Sequence, residues 1–298
     1  MTPASPPLTL NDLFRLGGLP EERLLVFRHR PYEPKLNAVF ASLVNERPDL
    51  FDCYQSTHGP RTEAALARAS HVASFIRHDP GTAVFIGLYE VAGRRELTVQ
   101  QTLDRSLHRE LVAHGMSGDF AAHDRATVTE FNLARTDWHG SWRGRLVIRW
   151  PGLERSWYRW ADRNIFEVGA IAPDNLLDVA VKPWNELVLR YGELDLLSQR
   201  ARVALTQWRG VYLITDERDG KQYVGSAYGA ENLLQRWGEY ARSGHGGNKL
   251  LRARNPVSFR FSILQLTSPD LPAEQVIALE RSWKLRLGTL APSGLNEN

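Results

Sequence analysis

The chain has 298 residues, a formal net charge of +3 and a single cysteine, Cys53. This length predicts two domains, and one cysteine excludes an internal disulfide or a thiolate metal cluster. No apolar run approaches the ~20 residues of a membrane span, and none follows the polar start as a signal peptide requires, so we expect a cytoplasmic protein. From Ala201 onward there are 13 Lys and Arg against 9 Asp and Glu. This excess suits phosphate binding or an ordinary solvated surface.

The first part of the chain is predicted to be a mixed, strand-rich domain. Apolar residues at helical spacing predict a short helix over 11–16 and a longer one over 63–77, with Thr62 as its N-cap. Runs rich in β-branched and aromatic residues predict three strands, at 83–91, 145–150 and 166–171.

Apolar residues at helical spacing also predict that 183–207 is helical. We therefore expect a target-recognition domain over 1–182, a helical connector over 183–207 and a second domain over 208–298. Both domains are of the α+β class.

The second domain is predicted to contain a β-hairpin, a helix, a strand and a last helix. An Asp-Gly pair marks the hairpin turn, Pro272 marks the start of the last helix and Gly288 its end. The predicted elements are strands 210–215 and 221–226, helix 232–243, strand 257–266 and helix 272–287.

Five features of this domain stand in one order along about 90 residues. They are the tripeptide Gly210-Val211-Tyr212, the tripeptide Tyr223-Val224-Gly225, Arg236, Glu280 and Asn296. In this order and at these distances the set resembles the pattern of the GIY-YIG nucleases. Each member has an ordinary reading, as a packing tyrosine, a solvated arginine or a surface carboxylate. The joint occurrence of all five is what favours the family.

The resemblance implies a metal-dependent hydrolysis of phosphodiester bonds in DNA. Either Tyr212 or Tyr223 helps to deprotonate the attacking water, and since the pKa of tyrosine is ordinarily near ~10 this needs help from a cation. Arg236 contacts the phosphate and Asn296 hydrogen-bonds near the site. Glu280 is the single carboxylate ligand of one Mg²⁺ or Mn²⁺, which keeps most of its waters.

Four further residues are candidates. Tyr240 follows Arg236 by one helical turn, so it shares that face of the helix and is a candidate to orient the water or the phosphate. His245 and Asn248 lie in a Gly-rich loop that either brings amide groups to a phosphate or is a plain loop. Lys221 in the hairpin contacts either DNA or solvent.

The first domain contains an aromatic and basic stretch over 138–163. Its tryptophans and arginines either stack on bases and hold phosphates or form a Trp-rich β core with arginines outside. Within it, the candidates for DNA contacts are Arg143, Arg145 and Arg159, and Arg149, Arg155 and Arg163 share the pattern. The strand sequence 85–91 followed by 145–150 is similar to the PUA-like barrels that read modified bases. That similarity implies a modification-dependent restriction nuclease.

Three functions stay open from the sequence. They are a restriction endonuclease directed by sequence or modification, a structure-specific nuclease of DNA repair or recombination, and a non-catalytic DNA-binding protein. No phosphate-binding Gly-Lys-Ser/Thr loop is present, so no nucleotide cofactor is expected. One active site makes one nick at a time, so double-strand cleavage implies a homodimer or two successive events.

Overall fold

The structure is a computed structural model that describes residues 6–117, 125–152, 156–178 and 180–297. The chain divides into two compact units, Met1–Leu177 and Asp178–Asn298. Each combines helices with its own sheet, which confirms the predicted α+β class. No helix in the described ranges is both long and apolar enough to cross a membrane.

The first unit is built on a seven-stranded sheet with the order β6-β1-β2-β3-β5-β7, and β4 pairs with the second half of β3. Only β1 and β2 are parallel among its neighbouring pairs. Its helices are α1 (Leu10–Leu16), α2 (Pro34–Glu46), α3 (Pro48–Ser56), α4 (Pro60–Leu66), α5 (Val99–Leu103) and α6 (Ser106–Ala113). Its strands are β1 (Leu24–His29), β2 (His71–Arg77), β3 (Thr82–Thr98), β4 (Thr127–Arg135), β5 (Leu146–Arg149), β6 (Tyr158–Trp160) and β7 (Val168–Ile171).

Both faces of this sheet are covered by apolar side chains. One buried cluster contains Phe14 of α1 with Phe75 and Phe85 of the sheet, and the other contains Phe27 and Leu66. Strands β1 and β2 are almost wholly buried and therefore lack the alternating pattern of a half-exposed strand.

The helix predicted over 63–77 is wrong in its second half. Helix α4 ends at Leu66, and His71–Arg77 forms strand β2 between β1 and β3. Apolar residues that face the core on both sides of a sheet also satisfy a helical spacing, so the periodicity did not separate the two structures. The segment His71–Arg77 is a strand because it hydrogen-bonds to a strand on each side.

The second unit has a four-stranded antiparallel sheet with the order β10-β9-β11-β8. The predicted order of hairpin, helix, strand and last helix is confirmed within it. Its helices are α7 (Gln199–Gln207), α8 (Asn232–Ser243), α9 (Lys249–Arg252) and α10 (Ala273–Leu287). Its strands are β8 (Val188–Arg190), β9 (Arg209–Asp216), β10 (Gln222–Ala227) and β11 (Phe259–Thr267).

The prediction that 183–207 is helical is correct only for α7. Val188–Arg190 is strand β8, and a 3₁₀ segment, Tyr191–Leu196, follows it. Strand β8 pairs with β11, so the first half of this segment completes the second unit's sheet. Leucines spaced for a helix instead enter the core of that unit, where Leu194 and Leu197 pack with Trp237 and Tyr240.

Candidate active site

Two facing strands place the motif tyrosines. Tyr212 on β9 is opposite Gly225 on β10, and Tyr223 on β10 is opposite Ile214. Because side chains alternate along a strand, Tyr212, Ile214, Tyr223 and Gly225 lie on the same face of the hairpin. Helix α8 covers this face with Leu233, Trp237 and Tyr240, which are buried with the two tyrosines in one core cluster.

Arg236 is held between two tyrosine hydroxyl groups. Its Nε donates to the hydroxyl of Tyr212 at 3.1 Å, and one terminal nitrogen donates to the hydroxyl of Tyr240 at 3.4 Å. The two hydroxyls are 3.0 Å apart. The other terminal nitrogen donates to the carbonyl oxygen of Gly246 at 3.0 Å and to Glu239. Fixed on so many partners, the guanidinium is a preorganised positive charge in a largely apolar setting.

Burial controls the titration of the tyrosines in this cluster. The pKa of Tyr212 is raised because its ring is buried and because Tyr223 is a neighbour, while Arg236 opposes the shift. Burial likewise raises the pKa of Tyr240 well above its usual value. Both hydroxyls are therefore neutral at physiological pH. The hydroxyl of Tyr223 has no hydrogen-bond partner among the described residues.

Glu280 lies on α10 and reaches strand β10 through Ser226, whose hydroxyl donates to its carboxylate. Lys284, one helical turn further on, contacts the other carboxylate oxygen at 2.7 Å. Ser226 is three residues after Tyr223, so its side chain lies on the opposite face of β10. The cluster around Arg236 and the carboxylate of Glu280 are thus attached to the same edge strand from different faces.

The donor set at Glu280 suits one hard divalent cation. A carboxylate and the Ser226 hydroxyl supply oxygen ligands of the kind that Mg²⁺ prefers, and a single carboxylate leaves room for several waters. Lys284 occupies one lone pair of Oε1, so it has to share that oxygen with a metal or turn aside. No group of three or more His, Cys, Asp or Glu residues suited to a metal occurs in the described ranges.

Asn296 lies beside the hairpin and hydrogen-bonds to the backbone of Val224, the middle residue of the second tripeptide. Its side-chain oxygen accepts from the amide of Val224 at 2.9 Å and its nitrogen donates to the Val224 carbonyl at 2.8 Å. The neighbouring amide of Leu295 donates to the carbonyl of Gln222. Asn296 therefore closes part of the free edge of β10 and fixes the segment that carries Tyr223.

The candidate residues His245 and Asn248 of the loop and Lys221 of the hairpin hydrogen-bond to other residues of the second unit. Asn248 caps α9 by accepting from the amide of Leu251, and Nδ1 of His245 accepts from the amide of Gly247. The loop amides predicted to meet a phosphate are thus satisfied internally, whereas the Gly246 carbonyl orients Arg236. Lys221 donates from Nζ to the carbonyl of Pro292 at 2.9 Å.

The arginines of the first unit that were predicted to contact DNA make hydrogen bonds within that unit. Arg143 is half-buried and donates to the carbonyl of Val44, and burial lowers its pKa. Arg145 donates to the carbonyl of Ala172 at 2.7 Å, and Arg159 donates to the side-chain oxygen of Asn164 at 3.0 Å. The structure does not gather them into one array, and Arg155 lies outside the described residues.

Two residues of the active site had no place in the sequence analysis. Ser226 and Lys284 both contact Glu280, and Lys284 follows it by four residues on one helix, a spacing at which opposite charges meet. That spacing was a usable signal for Lys284. Nothing in the sequence pointed to Ser226, since its contact is made between elements far apart in the chain.

The hairpin, the helix that covers it and the carboxylate of the last helix define a small catalytic domain. Residues 209–295 match the family described as the GIY-YIG catalytic domain, so the second unit contains a GIY-YIG nuclease domain. The solved catalytic domain of the homing endonuclease I-TevI is similar at 25% identity with a TM-score of 0.25, over 30% of this chain and 98% of that one. Comparison with curated proteins gives no match. The first unit is not identified by these comparisons.

Proposed function

We propose that this protein is a DNA endonuclease that hydrolyses one phosphodiester bond at a time with a single divalent metal. The observation that carries the proposal is the arginine fixed between two tyrosine hydroxyls in a domain that matches a nuclease family. Four of the five N–H groups of this guanidinium are engaged within the domain, so one is left to donate to a phosphate oxygen without a change of side-chain position, and a second becomes free if the phosphate displaces Glu239. The scissile phosphate would bind at the free edge of β10, which Arg236 and Glu280 flank from its two faces.

Tyr223 is the residue we propose as the general base. Its hydroxyl has no hydrogen-bond partner in the described part of the chain, whereas the hydroxyl of Tyr212 is engaged by both Arg236 and Tyr240. A base needs a free lone pair within reach of the water. Tyr212 and Tyr240 would then hold Arg236 and stabilise the negative charge that develops nearby.

Glu280 is the proposed metal anchor, with Ser226 holding the carboxylate in place. When bound, Mg²⁺ or Mn²⁺ would lower the pKa of a coordinated water and neutralise charge on the leaving oxygen. Lys284 keeps the carboxylate in position through its contact at 2.7 Å. Asn296 fixes the strand that presents Tyr223.

The first unit, Met1–Leu177, is proposed to choose the target for the nuclease domain. A catalytic domain of about 90 residues offers little surface for reading sequence, and a second compact unit is present to supply it. A restriction enzyme directed by sequence or base modification fits this division of labour best. A structure-specific nuclease of repair or recombination, cutting as a monomer or a homodimer, is the second candidate.

The test is cleavage of plasmid DNA with Mg²⁺ or Mn²⁺ by the wild type, Glu280→Gln and Glu274→Gln. Glu274 lies on the same helix but is exposed, so it is the matched control. We expect discrete cutting by the wild type and the control and none by Glu280→Gln. Unmodified, cytosine-modified and cruciform plasmids separate restriction from structure-specific cutting. DNA binding without cutting of any plasmid would instead support a non-catalytic DNA-binding protein.

A further inference from the structure

The first unit contains an aromatic cavity whose lining, among the described residues, comes from that unit alone. Its volume is about 350 Å³, which is within the range of small-ligand sites. Five rings line it: His29 at the end of β1, the exposed Tyr32 three residues later, Tyr54 in α3, His58 after α3, and Trp157 just before β6.

Four of these rings form a connected aromatic wall. Trp157 lies 5.8 Å from His29 and 5.3 Å from His58, measured between ring centroids, and Tyr54 lies 5.6 Å from His29. Tyr54 and Trp157 make no ring contact with each other in the described part of the unit, although both contact His29. His29 contacts both Tyr54 and Trp157, and together with His58 these rings give the cavity an aromatic wall against which a flat ligand can stack.

Two neutral histidines form the inner end of the cavity, His29 behind the surface and His58 closer to it. His29 is only 2% exposed, and its Nε2 has no hydrogen-bond partner within the described ranges. Burial lowers the pKa of His29 to about 3 and that of His58 to about 4. His58 is therefore neutral, and because its Nε2 donates to the Gln55 carbonyl, its Nδ1 is an acceptor.

The rim of the cavity is charged. Glu33 lines it, and a single one of its oxygens accepts from both the amide and the hydroxyl of Ser117, at 2.7 and 2.8 Å. Arg30 lines it as well and is exposed. A carboxylate can accept from an exocyclic amino group, and an exposed guanidinium can hold a phosphate beside it.

We propose that this cavity receives a single nucleobase extruded from the DNA that the nuclease domain cuts. The inference rests on the proposed function, since that function makes DNA the ligand of the chain. Trp157 stacks on one face of the base, Nδ1 of His58 accepts a hydrogen bond from its edge, and Glu33 accepts from its amino group. Arg30 binds the displaced backbone. Extrusion of one base is a way in which a protein selects a target by the base itself.

The test uses short duplexes in EDTA, so that binding is measured without cutting. The central pair is matched, mismatched, or mismatched with a C5-methylated cytosine or an N6-methylated adenine. A weakened pair lowers the cost of extrusion, so we expect at least one mismatched duplex to bind about tenfold more tightly than its matched form. Trp157→Ala is expected to remove this ratio, whereas Trp160→Ala, three residues further and outside the cavity, keeps it.

Trp157 also packs on Phe27, so Trp157→Ala can lower the stability of the unit as well as change the cavity. A second variant separates these two effects. Glu33→Gln leaves the aromatic rings of the cavity in place. For bases with an amino group, it is expected to change the ratio of mismatched to matched duplex binding by at least about threefold. Glu22→Gln, at an exposed position, is its control. Equal binding of every duplex by the wild type, or a ratio unchanged in both cavity variants, overturns the inference. If DNA is still cut in that case, the base cavity alone is rejected, whereas loss of cutting and binding together rejects the proposed function.

Discussion

Gly225 lies directly opposite Tyr212 in the hairpin, and the tyrosine ring occupies the space that a side chain at position 225 would need. A Cβ on Gly225 would be 2.4 Å from the Tyr212 hydroxyl oxygen and 2.5 Å from its Cζ. The tyrosine of the first tripeptide and the glycine of the second therefore form one packing unit. The missing side chain lets the hydroxyl point toward Arg236 and Tyr240.

Gly225→Ala is expected to displace the Tyr212 ring and destabilise the second unit by about 1–3 kcal/mol, as overpacking does elsewhere. In a Tyr212→Leu background, which removes Cζ and the hydroxyl, the same change is expected to cost less. Urea unfolding of the four proteins in a double-mutant cycle measures the difference. Additive effects would show that the two residues do not share this space.

The two hairpin tyrosines are expected to differ in their effect on cleavage. Tyr223→Phe removes the proposed base and should lower the single-turnover rate by about 10²–10⁴-fold. Tyr212→Phe removes one acceptor of Arg236 and should lower it less, with weaker DNA binding. Rates measured with Mg²⁺ and excess enzyme check this order. A larger loss in Tyr212→Phe would assign the base to Tyr212 instead.

Asn296 is expected to act through the backbone of β10. Asn296→Ala leaves the buried amide and carbonyl of Val224 without their partners, which should destabilise the second unit by about 2–4 kcal/mol. Asn296→Asp keeps the acceptor but replaces the donor by a buried carboxylate oxygen that faces the Val224 carbonyl, so at neutral pH it is expected to cost at least as much. Thermal unfolding of the three proteins ranks them. Full stability in Asn296→Ala together with lost cleavage would indicate a direct contact with substrate.

Acid is expected to unfold the first unit. The pKa of His29 is held at about 3 and that of His58 at about 4, whereas an imidazole in an unfolded chain titrates near ~6.5. The unfolded state therefore binds more protons, so stability is complete above about pH 6.5 and falls as the pH drops toward 4. The slope is at most about 1.4 kcal/mol per pH unit for each histidine.

Unfolding midpoints between pH 7.5 and 4 measure this loss. His29→Leu is expected to make the pH dependence shallower than that of the wild type. An identical pH dependence in His29→Leu would mean that this histidine is not kept neutral by the fold.

The second unit was predictable because its signals are local. The Asp-Gly turn, the strong helical pattern of Asn232–Ser243 and the glycine at the end of α10 each act within a few residues, and all three predictions are confirmed. Predictions failed where the secondary structure of a segment depends on pairing with strands that are distant in the sequence. His71–Arg77 is a strand only because β1 and β3 lie on either side, and Val188–Arg190 is a strand only because β11 lies beside it.

The sequence by itself determined the nuclease family, since the motif residues and their order can be read along the chain. The tertiary structure decided how those residues meet: Arg236 between two buried hydroxyls, Asn296 on the edge of β10, and Glu280 held by Ser226 and Lys284. Spacing along a chain fixes which face of one helix or strand a residue occupies. Contacts between elements depend on how sheets and helices pack, which local patterns do not encode.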